Sequence, residues 1–268
     1  MTLATRLAIA VLAAWITALA VAPAAADAVT AIDLTRMFEA PGVAAWMGTD
    51  DLGRSLAWRV VAGARVSLLV SAVVVTVTAA IGIAIGVTAA WLGGWIDLLL
   101  GRVIDVFLAF PGILLAIALA GVLGPGVGNV IIALGVVGWV GFARLARAQT
   151  LAVRERDHVA VARALGTPGF TIVYRHVLPL IAGPLVVEGT FALAAVIVAE
   201  AGLSFLGLGV QPPAPSWGSL IRDGTRYLLF APHLVVMPGL ALLSVVVAIN
   251  LLGDRLRDRI QRGHRVGA

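Results

Sequence analysis

Long apolar runs separated by short polar stretches make up most of the chain. Six of these runs approach or exceed the roughly 18 to 20 residues with which a helix crosses a bilayer. The pattern therefore predicts an all-α fold, a polytopic membrane helical bundle of about six transmembrane helices that forms a single domain over residues 1–268. The predicted spans are residues 7–23, 66–91, 95–123, 127–142, 184–206 and 233–252.

An arginine-rich polar loop, residues 144–183, separates the fourth and fifth predicted spans. Residues 149–165 contain neither Pro nor Gly and predict a helix that Gly166 ends. Thr167 and Pro168 predict the start of a second short helix, with a hydroxyl at the cap and proline at the first helical position. One face of this second helix is expected to be apolar, through Phe170, Val173, Tyr174 and Val177. Two short helices at a membrane surface suggest a docking element for a soluble partner.

The distribution of arginine orients the predicted bundle, because cytoplasmic loops carry an excess of basic residues. The central loop and the tail, residues 254–268, are both arginine-rich and are separated by two spans, so they lie on the same side. The loop, the tail and, by parity, the N terminus are therefore predicted to be cytoplasmic. Arg54, Arg59 and Arg65, in the predicted external segment, are an exception to this distribution.

The first span also has features of a secretory signal. Arg6 precedes an apolar core, and a run of small residues at positions 22–26 precedes Asp27. The core is long for a signal, and a retained first span fits the parity of the other five. A retained span is therefore the main prediction, and cleavage is its alternative.

Composition narrows the classes of function open to the chain. With 61% hydrophobic and 12% charged residues and a mean hydropathy of +1.05, it does not resemble a soluble domain. The net charge of +5 comes without a basic patch interleaved with stacking aromatics, which argues against nucleic acid as a partner. The absence of cysteine excludes disulfides and thiolate metal sites. All nineteen basic residues are arginine, so a Walker P-loop, which needs lysine, is excluded and another subunit would have to bind any ATP.

Several charged residues fall within the predicted spans, where they are costly unless they face protein, water or the interface. Arg102 and Asp105 are three residues apart in the third span and are predicted to form a structural ion pair. Glu188 and Glu200 lie in the fifth span, about 18 Å apart along a helix. These two carboxylates are candidates for either pathway or packing groups.

Glycine and proline suggest where helices bend or meet. Gly82 and Gly86 in the second span have the spacing that lets two membrane helices approach closely. Pro111 is expected to kink the third span. A tight external turn is predicted at residues 124–126.

Two external stretches carry further expectations. Thr49, Asp50 and Asp51 are predicted to open an amphipathic helix along the outer interface, with the threonine as its cap. Residues 207–231 are rich in Pro and Gly and predict a loop, in which Trp217 is expected to mark the interface.

Short motifs in a fixed order carry a resemblance to a known family. The stretches concerned are ARALG at 162–166, HVLP at 176–179, GTDDLGR at 48–54, GARVSL at 63–68, AEAGLSFLGLG at 199–209 and NLLGD at 250–254. The first two resemble the EAA loop of the inner-membrane permeases of binding-protein-dependent ABC importers. The others are similar to the second permease type of the dipeptide, oligopeptide and nickel branch. The resemblance covers the chain from residue 48 to the tail.

The resemblance implies a set of functional residues and partners. Residues that couple to the ATPase would be Asp157, Ala160, Ala162, Arg163, Ala164, Gly166, Tyr174, His176, Leu178 and Pro179. Pathway or packing groups would be Glu188, Glu200 and Ser204, and the external segment would be marked by Thr49, Asp50, Asp51 and Arg54. The implied partners are a second permease, two ATP-binding subunits, an external substrate-binding protein and membrane lipid. ATP and magnesium would be bound by the partner subunits, with no cofactor and no metal in this chain.

The loop departs from the family pattern at two positions. Ala160 stands where the family has the glutamate of its EAA motif, and Leu180 stands where an asparagine often follows Leu-Pro. Asp157, one turn before Ala160, is a candidate to compensate for the missing carboxylate.

The expected function is therefore that of a permease subunit in the bacterial inner membrane, forming half of an alternating-access pathway for di- or oligopeptides. Nickel or another small solute is the alternative cargo. A stand-alone channel or proton-coupled carrier is a rival of another class, in which Glu188 and Glu200 would line the pathway. An intramembrane enzyme is disfavoured, because the chain lacks H-E-x-x-H, G-x-S-x-G and cysteine.

Overall fold

The structure, a computed structural model, describes residues 3–21 and 29–266. Within these ranges the chain is helical throughout its regular elements, which confirms the all-α prediction. The helices are α1 Leu3–Val21, α2 Leu56–Leu92, α3 Gly94–Leu108, α4 Gly112–Leu123, α5 Val127–Arg154, α6 Asp157–Ala164, α7 Gly169–Ile172, α8 Leu178–Phe205, α9 Trp217–Thr225 and α10 His233–Val266. A 3-10 turn covers Leu34–Arg36, and a π-helical turn, Val173–Val177, joins α7 to α8.

The predicted number of spans is confirmed. Five helical stretches of the described chain are long and apolar enough to cross a membrane, and the bent pair α3–α4 makes a sixth. The first of them, α1, packs onto the bundle: the Trp15 indole N–H donates to Ser244 Oγ at 3.0 Å, and its ring meets Trp217 edge-on at 5.3 Å. Residues 22–26 form the run of small residues that suggests signal cleavage. They lie outside the residues that the structure describes.

The third span is broken, and the kink expected at Pro111 is a sharp bend of 81° between α3 and α4. Proline lacks an N–H and disfavours helical geometry in the residue before it, so the chain leaves the helix at Ala109 and resumes at Gly112. The predicted ion pair between Arg102 and Asp105 does not form. Asp97 instead accepts two hydrogen bonds from the guanidinium of Arg147 on α5, at 2.6 and 2.8 Å.

The helices α2 and α5 cross at close range. A Cβ atom at Gly82 would overlap the carbonyl oxygen of Trp139, and one at Gly86 would overlap that of Ala143. The close approach that this glycine spacing allows is therefore present, and it fixes α2 directly against the helix that leads into the polar loop.

The helices of the polar loop begin and end at other places than the sequence predicts. The fourth span continues as α5 to Arg154, because its buried residues Ala146 and Val153 stay in a cluster with Val87 and Ile181 of neighbouring helices. The predicted helix over residues 149–165 is therefore interrupted after Arg154, and only α6 remains beyond the break.

The second loop helix also differs from its prediction. It begins at Gly169, with Pro168 at the cap position and without a side-chain cap, so the Thr167 hydroxyl does not have the predicted role. The helical path also continues through Leu178-Pro179. The π-helical turn leads straight into α8, which tolerates Pro179 in its first turn.

Candidate functional site

The polar loop presents apolar side chains outward. Phe170 and Tyr174 are 82% and 66% exposed, and Leu165 and Val161 beside them are also exposed. The single apolar face predicted for residues 170–177 is thus divided. Val177 is buried in the bundle, whereas the two aromatic rings point away from it. Exposed aromatic and aliphatic side chains on a short rigid element are typical of a protein-docking surface.

Trp91, at the end of α2, holds this loop in place. The Arg163 guanidinium lies 4.6 Å from the centre of the Trp91 ring, a cation–π contact. Gly169 packs on the other part of the indole, where an added Cβ would lie 3.1 Å from Nε1. In addition, Arg154 Nη1 donates to the carbonyl of Ala90 at 2.7 Å. The loop is therefore fixed to the end of the second span as well as to its own flanking helices.

The turn between α6 and α7 has a defined geometry. Gly166 has φ of +74°, the left-handed conformation that glycine adopts without strain. Its N–H donates to Arg163 O at 2.9 Å, and the Thr167 N–H donates to Ala162 O at 3.1 Å. These two bonds form a Schellman motif. The prediction that Gly166 ends the first loop helix is confirmed.

The remaining loop residues of the predicted coupling set lie along α6 and the start of α8. Asp157 is exposed in the first turn of α6, where its charge complements the helix dipole. Ala160 and Ala164 are exposed and Ala162 is buried. Ala160, which stands where the family has the glutamate of its EAA motif, is thus on the surface. His176 is half-buried; Leu178 and Pro179 open α8.

Glu200 lies inside the subunit, where it is 1% exposed. Its Oε1 accepts a hydrogen bond of 2.7 Å from Ser204 Oγ, one turn later in α8. Ser67 of α2 lies beside the same carboxyl. Neither Ser67 Oγ nor Glu200 Oε2 has a partner in good hydrogen-bond geometry within the described chain. This cluster joins α8 to α2, a geometry that favours the packing alternative for Glu200 and Ser204.

Glu188 is in a different environment. It is half-buried beside Gly141 and borders an open cavity of about 420 Å³ that Arg257 and Ile260 of α10 also line. The two carboxylates of α8 are therefore not brought together, and they do not form a common pathway site.

A cavity of about 800 Å³ opens on the side of the bundle between α4, α5, α8 and α10. Its wall consists mostly of small and aliphatic side chains, including Gly112, Gly138, Ala195 and Ala199, with the aromatic ring of Phe191. The one side chain with an amide is Asn250, whose Nδ2 donates to Val246 O on its own helix at 3.0 Å. Sequence reasoning missed this wall, because its members come from four helices and share no periodic signal of their own.

The external motif at residues 48–54 is a turn, and the helix predicted to open at Thr49 starts only at Leu56. Asp50, buried, organises the turn: Oδ1 accepts from the N–H groups of Leu52 and Arg54 at 2.9 Å, and Oδ2 accepts from Arg54 Nε at 2.7 Å and from Arg59. Because aspartate binds its own backbone so well here, a tight turn replaces the first helical turns.

The same turn is tied to residues just after α9 and at the start of α10. Asp51 accepts a hydrogen bond of 3.4 Å from the Tyr227 hydroxyl, and the Thr49 carbonyl lies 3.3 Å from His233 Nε2 at the start of α10. Trp217 does not mark the interface as predicted. It is buried at the start of α9 and donates to Val60 O at 3.0 Å.

Comparison with known proteins adds sequence and fold relatives. Residues 82–266 match the family described as a binding-protein-dependent transport system inner membrane component. The chain is 38% identical over 234 residues to a glutathione transport system permease protein GsiD from Pectobacterium atrosepticum, covering 87% of this chain and 78% of the relative. For GsiD from Escherichia coli the identity is 42%, covering 87% and 77%.

A solved structure shares the fold. The chain superposes on a chain of the MetNI methionine ABC transporter, in an inward-facing conformation, with a TM-score of 0.63 and 20% identity. The match covers 76% of this chain and 97% of the other.

Proposed function

The chain belongs to the family of binding-protein-dependent transport system inner membrane components, and on that premise we propose that it forms half of a translocation pathway for short peptides. It is a membrane-spanning permease subunit of an ABC importer and not an enzyme. This membership replaces the rival of a stand-alone channel or proton-coupled carrier. Its relatives are glutathione permeases by name, and glutathione is itself a short peptide.

The wall of the 800 Å³ cavity carries the cargo proposal. Small and aliphatic side chains line it, together with the ring of Phe191 and the amide of Asn250. Such a wall suits a peptide that must pass without being held. Each van der Waals contact between the peptide and the wall is weak, although the contacts are numerous. Nickel, the alternative cargo, prefers imidazole or carboxylate ligands, and the residues that line this cavity include neither.

The docking surface of the loop supports a mechanism of coupling. The proposed partners are a second permease, two ATP-binding subunits that hold ATP and magnesium, and an external binding protein. Closure of the ATP-binding subunits would push the exposed face around Phe170 and Tyr174. Because the loop is fixed to α5, α8 and the end of α2, the push would tilt these helices and open the pathway outward. In this arrangement the loop and both termini are cytoplasmic.

Uptake by the reconstituted transporter tests the proposal. We would purify the chain with its co-purifying subunits, place the complex in liposomes with ATP, and compare uptake of a labelled dipeptide, labelled glutathione and radioactive nickel. The expected result is ATP-dependent peptide uptake that requires the binding protein. Uptake of nickel alone would refute the peptide cargo, and uptake by the isolated chain without ATP would refute the coupled mechanism.

A further inference from the structure

A basic cleft lies between the polar loop and the start of α8. It has a volume of about 450 Å³ and is lined by Arg156, His158, Arg175, His176, Pro179 and Leu180. The two imidazole rings lie 6.0 Å apart, centre to centre, so α6 and the π-helical turn meet at this point. Such π-helical turns are rare and occur often at functional sites.

The positive charge of the cleft is not neutralised within the described chain. Neither Arg156 nor Arg175 forms an ion pair there with a carboxylate. Of the nearby acidic groups, Glu155 is bound by Arg154 at 3.1 Å, and Asp157 is exposed and does not line the cleft. Two arginines facing one open cleft favour a ligand with a phosphate group, which guanidinium binds through paired hydrogen bonds.

The position of the cleft separates it from the docking surface. Phe170 and Tyr174 form one stripe of the helical segment, whereas His176 comes two residues after Tyr174, roughly 200° further round a helix. Pro179 and Leu180 follow Arg175 and His176 by four residues, about one helical turn, and so lie on the same side of the segment. They stand at the start of the membrane-spanning α8. The cleft is therefore lined by four basic or imidazole side chains and by two apolar residues at the start of a membrane span.

We propose that this cleft binds the headgroup phosphate of an anionic phospholipid whose acyl chains lie along the beginning of α8. Basic pockets beside membrane helices on the cytoplasmic side are suited to such headgroups. Pro179 and Leu180, at the start of a membrane span, favour this ligand over an acidic segment of an ATP-binding subunit, because acyl chains can lie against them. The proposal is independent of the cargo that the transporter carries.

Lipid binding to the assembled transporter tests the site. The chain, purified with its bound subunits in mild detergent, would be titrated with phosphatidylglycerol or phosphatidylcholine, and bound lipid counted by native mass spectrometry. The double variant Arg156→Gln with Arg175→Gln should weaken phosphatidylglycerol binding about 30-fold, since each basic residue near an anionic surface contributes roughly a factor of five. Phosphatidylcholine binding should not change. A charge-matched control, Arg102→Gln with Arg226→Gln, should keep the affinity of the unchanged protein, because both arginines are exposed and lie far along the chain from the cleft.

A single introduced thiol gives a readout that does not depend on the arginine variants folding. The chain has no cysteine of its own, so Leu180→Cys places a single reactive thiol in the lining of the cleft. Phosphatidylglycerol should slow its alkylation, whereas the thiol of Leu240→Cys, exposed on α10, should react at the same rate with either lipid. Three results would overturn the proposal: equal protection by the two lipids, protection by inorganic phosphate in place of lipid, or cross-linking of the Leu180→Cys thiol to an ATP-binding subunit.

Discussion

At the scale of single residues, Trp91 links the polar loop to the bundle. It contacts Arg163 through its ring face and Gly169 through its edge, so both loop helices depend on one side chain. We predict that Trp91→Ala loosens the loop, so that peptide uptake falls several-fold while ATP hydrolysis continues. A cation–π contact of this kind contributes about 0.5–2 kcal/mol, so the chain should still fold and assemble. Parallel uptake and ATPase assays check this.

The control for this variant is Trp95→Ala, because Trp95 is a nearby indole that is 72% exposed on α3, whereas the cation–π contact with Arg163 is made by Trp91. Equal loss of coupling in both variants would show that Trp91 has no special role.

Gly166 permits a second test of the loop. Space around it is open, since an added Cβ would meet no atom within 4 Å, so a large side chain there would obstruct a partner and not this chain. We predict that Gly166→Trp uncouples ATP hydrolysis from uptake without removing the protein from the membrane. The cost to this chain is about 1–2 kcal/mol for the left-handed backbone. Membrane content, ATPase activity and uptake would be measured together.

Gly94→Trp is the matched control, because Gly94 also has a positive φ, of +55°, and open surroundings. Normal stimulated ATPase activity and uptake in the Gly166→Trp variant would contradict a docking role for this turn.

We expect the protein to tolerate loss of the charge of Glu200 but not loss of the side-chain oxygen that accepts the hydrogen bond from Ser204. Glu200→Gln keeps an acceptor for Ser204, so we predict an intact complex and an unchanged melting temperature within a few degrees. Glu200→Ala removes the partner of a buried hydroxyl, which costs about 1–3 kcal/mol, and should lower the melting temperature clearly. Loss of the complex with Glu200→Gln would show that the ionised form is needed for packing.

At the scale of elements, the crossing of α2 and α5 depends on glycine. We predict that Gly82→Ala lowers the melting temperature of the purified complex and the yield of folded protein, because the methyl group would press on the backbone of α5. Gly239→Ala is the control, since that helical glycine on α10 has open space around it. A complex of unchanged stability in the Gly82→Ala variant would mean that the two helices can move apart without cost.

The elements that sequence predicts well are those fixed by local chemistry. The apolar runs define the spans, Gly166 ends α6 through a left-handed turn, and the glycine pair in α2 marks a helix crossing. The errors arise where distant contacts decide. The end of α5 depends on a cluster that α2 and α8 complete, and burial of Trp217 depends on α2 and α1 covering it.

The candidate functional site shows the same contrast between features fixed by local chemistry and features fixed by distant contacts. The resemblance located the coupling loop by its motifs, but the inward position of Val177 and the outward positions of Phe170 and Tyr174 depend on how the π-helical turn rotates the segment. Trp91 carried only a weak signal, an aromatic residue before a Gly-Gly turn. The lining of the large cavity carried none, because it is assembled from four helices.

At the scale of the whole molecule, the large cavity is open on one side, as expected of half a pathway. Ala195 is exposed on its wall. We predict that Ala195→Trp blocks peptide uptake strongly while the complex and its basal ATPase activity remain, because the indole would fill part of the passage. Uptake, subunit content and ATPase activity would be compared in the same preparation. Dissociation of the second permease would instead identify this wall as a packing interface.

The helix α2 connects the two faces of the transporter. Its 37 residues correspond to about 55 Å at 1.5 Å per residue, more than the roughly 40–45 Å of a whole bilayer. At its first turn Arg59 binds the Asp50 turn, and at its last turn Ala90 and Trp91 hold the polar loop. The helix α2 is therefore held by side-chain contacts at both of its ends. Under the proposed coupling mechanism, a displacement of the loop would be carried along α2 to the Asp50 turn at its other end.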